Sequence, residues 1–223
     1  MAIAATQSDF DVVVAAPHQE SSGSSAALSA VPADGKIMMS RTELAGLSGI
    51  HTVAVDAAPA FIVFTALHRA FGPVPELVVS GINRGPNTGR AVLHSGTVGA
   101  AMTAAIYGMR TAAFSLDWRD GAQTHWDTAA AVAAELLPGL RSQRPGVVLN
   151  VNVPNVPRSE LRGIRPASLA ATGAVQLQIL ATARDYVQVA VHESAERLSD
   201  GSDAALVAAG FACVTQLLPL CEV

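Results

Sequence analysis

Three short polar segments interrupt an otherwise apolar chain: PHQESSGSSAALS from Pro17 to Ser29, VVSGINRGPNTG from Val78 to Gly89, and HSGTVGAAMTAA from His94 to Ala105. In the third, Ser95, Gly96 and Thr97 lead into small residues with helical spacing. Free amides at a helix start, aligned with the helix dipole, make an anion site. Glycine lets a phosphate approach the backbone there, and the hydroxyls add donors without bulk. The isolated tripeptide fits an ordinary helix cap equally well. In the second segment Asn83 offers a carboxamide oxygen suited to a hard cation, while Asn87 either assists or closes a turn on its own backbone. The first segment is rich in hydroxyls around one glycine, and could face an oxyanion, a metal or simply water.

His18 and His94 flank these segments and could carry protons, although a histidine beside a polar loop is usually just solvated or hydrogen-bonded. Arg84 and Arg90 could attract phosphate or face water. Several familiar signatures are missing from the sequence: a GxxxxGK[ST] phosphate loop, an HExxH helix and a GxSxG nucleophile elbow. A GxGxxG turn between strand and helix is missing too, which weakens the reading as a dinucleotide-binding module.

The elements that must position these loops follow from the apolar pattern. Runs at 11–17, 51–55, 76–80, 111–116 and 147–153 read as strands, the first of them, DVVVAAP, as buried on both faces. Ala-rich segments at 58–71, 97–108 and 126–140 carry helical periodicity. Strand and helix in alternation predict an open, mostly parallel, Rossmann-like α/β sheet with helices on both faces and right-handed crossovers. Ligands of such sheets settle beyond the carboxyl ends of the strands, where the loops after Ala16 and Ser80 fall. Asn83 is expected just past such a strand end.

After Pro154 a shorter alternation makes 158–195 an antiparallel hairpin arm. Residues 199–210 read as a short capped helix ending on glycine, and FACVTQLLPL as a last strand. The expected organisation is one domain over 1–223, with an α/β core at 1–157, the arm at 158–195 and a final helix and strand at 196–223. The opening MAIAATQSDF looks like the tail of a helix.

Composition bounds the partners. A chain of 223 residues that is 50% hydrophobic can bury a substantial core. Its net charge of -4 gives no general pull toward nucleic acid or an anionic membrane, so a small-molecule partner is expected. With neither a signal peptide nor a run long enough to span a bilayer, the expected location is the cytoplasm. Cys213 and Cys221 lack metal-ligand spacing and read as two buried thiols.

Taken in this order, PHQESSG, VVSGINRGPNTG and LHSGTVGAAM closely resemble the SurE family of survival-protein nucleotidases. LNVNVP at 149–154, and Asp203 ahead of GFACVTQLLPL, match further family features. The resemblance implies a metal-dependent phosphatase, a 5'/3'-nucleotidase acting on nucleoside monophosphates with a divalent cation such as Mg or Mn. It implies Ser22 and Asn83 as metal ligands, and Ser95, Gly96 and Thr97, with Asn87, as the phosphate or substrate site. It names no catalytic acid or base. The arm is similar to a projecting hairpin that helps build homodimers or homotetramers.

The chain also departs from the family pattern. Family members open with a strand ending in NDDG, whose paired aspartates anchor the metal; this sequence starts within the helix that follows, a strand-and-helix unit of roughly 25 to 30 residues later. The acidic pair usual after the SGIN loop is Gly89 and Arg90, and the aspartate usual after AP is His18. A hydroxyl and a carboxamide bring no formal charge to offset a cation's dehydration, so metal should bind poorly, and an apolar sheet edge should be left open. Two expectations follow: a nucleotidase whose true start lies upstream, or a catalytically lapsed homologue that binds nucleotide or a partner protein.

Overall fold

The computed structural model describes residues 10–28, 34–118, 121–171, 175–193 and 198–221, with side chains left out at 175–178 and 191–193. The expected helix tail in MAIAATQSDF therefore lies outside the described residues, Phe10 apart. In chain order the elements are β1 (Val13–Pro17), β2 (Met39–Arg41), β3 (His51–Val55), α1 (Pro59–Leu67), β4 (Leu77–Arg84), α2 (Gly96–Ile106), β5 (Arg110–Asp117) and α3 (Trp126–Leu140). They continue with β6 (Val148–Pro154), β7 (Ile164–Pro166), β8 (Val175–Thr182), β9 (Val187–Glu193), α4 (Asp203–Ala208) and β10 (Ala212–Leu217).

The strands form a five-stranded sheet in the order β4-β5-β6-β10-β7, a three-stranded sheet in the order β1-β3-β2, and the separate pair β8-β9. In the larger sheet β4, β5 and β6 run parallel and β10 is antiparallel to β6. Strand alternation gives this sheet two apolar faces. Ala112, Phe114 and Leu116 of β5 pack with Val151 and Val153 against Leu137 and Leu140 of α3. Ala113 and Val148 point the other way, onto Val98, Ala101 and Ala105 of α2. Burying each large side chain in these layers contributes about 1.5–3 kcal/mol.

Three expectations change. DVVVAAP is not buried on both faces: β1 pairs with β3 alone among the described residues, and Val13 is 46% exposed. Asn83 lies within a strand rather than past its end, because β4 runs on through SGIN to Arg84. Gly81 permits this: it holds φ +103, and a Cβ there would collide with the Phe114 carbonyl oxygen of the neighbouring strand. Within 158–195, β7 leaves the arm and pairs in parallel with β10 at the edge of the main sheet, while β8 and β9 form the antiparallel hairpin. A fourth change concerns the thiols: Cys213 is buried but Cys221 is exposed.

Candidate phosphate site

The start of α2 is the point on which the three polar segments converge. Ser95 caps the helix, its hydroxyl oxygen accepting the Val98 N–H at 3.1 Å, and its carbonyl accepting the Gly99 N–H at 2.8 Å. The Ser95 amide is itself engaged, donating to Val92 O at 3.2 Å. This settles the cap reading for Ser95, whose amide is not open to a ligand. The amides of Gly96 and Thr97 have no acceptor among the described residues, and they stand at the positive end of an eleven-residue helix.

The first polar loop lies directly on this turn. Ser25 donates its N–H to His94 O at 3.3 Å and its hydroxyl to Leu93 O at 2.6 Å. The approach is close enough that only glycine serves beneath it. A Cβ on Gly96 would run into Ser24 Oγ and stand 3.2 Å from Ser21 O, and one on Gly99 would overlap the Ser25 carbonyl. Ser24 Oγ is buried with no hydrogen-bond partner among the described residues. The small-residue composition of SGTVGAA is thus a packing requirement.

From the second loop, Asn83 turns its carboxamide oxygen to the same turn, accepting from Thr97 Oγ1 at 3.2 Å, while its Nδ2 donates to Gly85 O at 2.8 Å. Ser22 is exposed, and its hydroxyl donates to Glu20 Oε1 at 2.7 Å. Ser22 and Asn83 share no hydrogen bond among the described residues; Asn83 reaches the helix start, whereas the first loop meets it through Ser21, Ser24 and Ser25. No group of three His, Cys, Asp or Glu side chains able to hold a metal ion occurs among the described residues.

Asn87 has a different position from the one expected of a substrate ligand. Its N–H donates to Asn152 Oδ1 at 2.7 Å, its carbonyl accepts from Asn150 Nδ2 and Asn152 Nδ2 at 2.8 and 2.9 Å, and its own Nδ2 donates to Ser115 Oγ at 2.7 Å. Both backbone groups and the side-chain nitrogen are therefore spent on the sheet. Asn150 and Asn152 are fully buried on the α2 face of β6; Asn152 uses both ends of its carboxamide on the Asn87 backbone and Asn150 its nitrogen, while Asn150 Oδ1 has no partner among the described residues. Gly89, two residues on, donates its N–H to Asp203 Oδ2 at 2.8 Å. Sequence reasoning missed Ser115, Asn150, Asn152 and Asp203 as the supports of this loop. The signal available was the pair of asparagines at alternate positions in the apolar VVLNVNV.

The flanking charges are placed as follows. The Arg84 guanidinium stacks on the Trp118 ring, 3.5 Å from its centroid, and is held there by the ring's negative face. Arg90, His18 and His94 are exposed. Burial, reinforced by the neighbouring Asp203 charge, pushes the Cys213 thiol up to about 12, which keeps it protonated and inert.

Comparison with known proteins identifies the family. The profile of the family described as Survival protein SurE matches residues 1–176. The 5'/3'-nucleotidase SurE of Yersinia pseudotuberculosis is 39% identical over 69% of this chain, a match spanning 57% of that relative's length. The 5'/3'-nucleotidase SurE of Edwardsiella ictaluri is 34% identical over 96% of this chain and 82% of its own. The crystal structure of the SurE protein from Aquifex aeolicus superposes with a TM-score of 0.80 at 28% identity, covering 98% of this chain and 86% of that one. Family profile, relatives and fold coincide over most of the sequence, and the chain belongs to the SurE family.

Proposed function

We propose that this protein is a nucleotidase: it hydrolyses nucleoside monophosphates to nucleoside and inorganic phosphate, with the phosphoryl group held at the start of α2. The observation that carries this reading is the pair of unengaged amides, Gly96 and Thr97, at a helix N-terminus where three polar segments converge. Backbone N–H groups fixed in advance stabilise charge on a phosphoryl oxygen without reorganising, and the Thr97 hydroxyl adds a donor beside them. The names of the Yersinia and Edwardsiella relatives support the same chemistry.

The family resemblance adds a divalent cation, Mg or Mn, with Ser22 and Asn83 as ligands. The donors among the described residues do not fit a resident ion of this kind. Asn83 Oδ1 is neutral and already accepts from Thr97, Ser22 Oγ is neutral with the Glu20 carboxylate beside it, and no cluster of three His, Cys, Asp or Glu side chains occurs among the described residues. A small, strongly hydrated cation gives up water reluctantly to two neutral oxygens and a single neighbouring carboxylate. Phosphate recognition is accordingly assigned to the protein's own amides.

The arm suits a homo-oligomer, dimer or tetramer, since Ile179, Leu180, Tyr186, Val187 and Val189 are all exposed on it. No helix among the described residues is long and apolar enough to cross a membrane. The test is phosphate release from nucleoside monophosphates by the purified 223-residue chain, alone and with excess Mg or Mn. Release that falls about tenfold in Thr97→Ala, which removes the hydroxyl donor and keeps the amides, is the expected result. Saturable phosphate binding without release under any condition would instead make the chain a non-hydrolytic phosphate binder.

A further inference from the structure

Asp203 is fully buried, yet none of the chemistry above uses it. Its carboxylate is divided between three backbone amides, two from distant parts of the chain and one from the next residue. Oδ2 accepts the Gly89 N–H at 2.8 Å, and Oδ1 accepts those of Ala170 and Ala204 at 2.9 and 2.8 Å. Its own N–H donates to Ser168 O at 2.8 Å, and Cys213 Sγ contacts its carbonyl oxygen at 3.6 Å. A buried carboxylate is costly unless hydrogen bonds replace its water, and here each oxygen is engaged.

The Gly89 bond is the one with a functional consequence. Gly89 opens the 3-10 segment Gly89–His94, which runs directly into Ser95, Gly96 and Thr97. Upstream, Asn87 is tied to β5 and β6; Gly89 is tied to Asp203 alone among the described side chains. The start of the segment that delivers the two amides is therefore held by a carboxylate 114 positions away in sequence, while Ser25 holds its far end at Leu93 and His94. The same carboxylate reaches Ala170, just ahead of the arm strand β8, so one side chain links the base of the arm to the loop before the cradle.

We propose that Asp203 is a positioning residue for the phosphate cradle: it touches no substrate and acts by holding the Gly89 amide, and with it the segment that delivers Gly96 and Thr97. This rests on the nucleotidase reading above, of which it names a further working part. The experiment compares Asp203→Asn with Ser202→Ala. The first replaces an acceptor by a donor against an amide. The second removes the α4 cap, where Ser202 Oγ accepts from Ala205 N at 3.3 Å, and leaves Gly89 untouched. Both variants should melt below the parent.

At a temperature well under both midpoints, Asp203→Asn should weaken inorganic phosphate binding and raise KM for a nucleoside monophosphate about tenfold, the scale of one lost hydrogen bond to a charged group, with kcat moving less. Ser202→Ala should leave both unchanged. Equal phosphate affinity in the two variants overturns the proposal. If Asp203→Asn does not fold, hydrogen exchange in the parent chain decides: the Gly89 amide should exchange slowly and more slowly still with saturating phosphate, whereas exchange at the rate of an open loop overturns it. A parent chain that neither binds phosphate nor releases it defeats the nucleotidase reading, and the proposal with it.

Discussion

Strands β1 and β6 are written in nearly the same alphabet, DVVVAAP and VVLNVNV, and end in opposite surroundings. β6 lies between β5 and β10 with Val148, Val151 and Val153 fully buried; β1 pairs with β3 alone among the described residues and leaves Val13 46% exposed. Even the polar residues are reversed, since the two asparagines sit in the buried strand. An apolar run therefore reports that a strand forms, and its neighbours decide how deeply it is buried. Polar residues inside such a run carry a further message: in β6 they face a loop backbone that needs them.

The comparison is open to direct attack. Its largest consequence falls on Asn152, which both accepts from and donates to Asn87. Asn152→Ala should cost about 3 kcal/mol in urea denaturation, one bond lost and a loop amide left short of an acceptor. A loss under about 1 kcal/mol, within the range of ordinary surface changes, would mean the buried asparagines are not supports. Val151→Thr puts a hydroxyl where the parent has a fully buried methyl, and should cost about 1–3 kcal/mol. The same change on the other strand, Val13→Thr, should stay within about 0.5 kcal/mol. Equal costs for the two would erase the contrast.

Intermediate effects sharpen the picture around the site. Gly96→Ala forces a methyl onto Ser24 Oγ and should destabilise by about 1–2 kcal/mol while displacing the first loop, seen as weakened phosphate binding. Cys213 gives a pH signature with a definite sign. Its value is raised from 9.0 to about 12, so the folded state holds the proton more tightly than the unfolded chain. That contribution is fully present below pH 9 and is lost as pH rises toward about 12. At pH 8, iodoacetamide should therefore label exposed Cys221 and spare Cys213 until denaturant is added.

Much of this was legible from local pattern. β3 at 51–55 and α3 at 126–140 fall where periodicity places them, because each is an uninterrupted apolar or amphipathic run. Helix α1 ends at Leu67, short of the expected 71, where Arg69 takes φ +67. Glycine and asparagine break strands on average, which puts a loop after Ser80; the close approach of Gly81 to Phe114 O, a long-range fact, reverses that preference. The candidate site divides in the same way. Ser95, Gly96, Thr97 and Asn83 declare themselves through hydroxyls and glycines beside a helix start. Their supports do not, since Asn87 meets Asn152 across 65 positions and Gly89 meets Asp203 across 114.

The claim on which all of this turns is that the first turn of α2 is an anion cradle, and backbone amide NMR during titration with inorganic phosphate tests it most directly. The Gly96 and Thr97 resonances should move together and saturate, with the engaged Ser95 amide moving less. Gly96 and Thr97 signals that stay fixed while phosphate perturbs another part of the molecule would contradict the account.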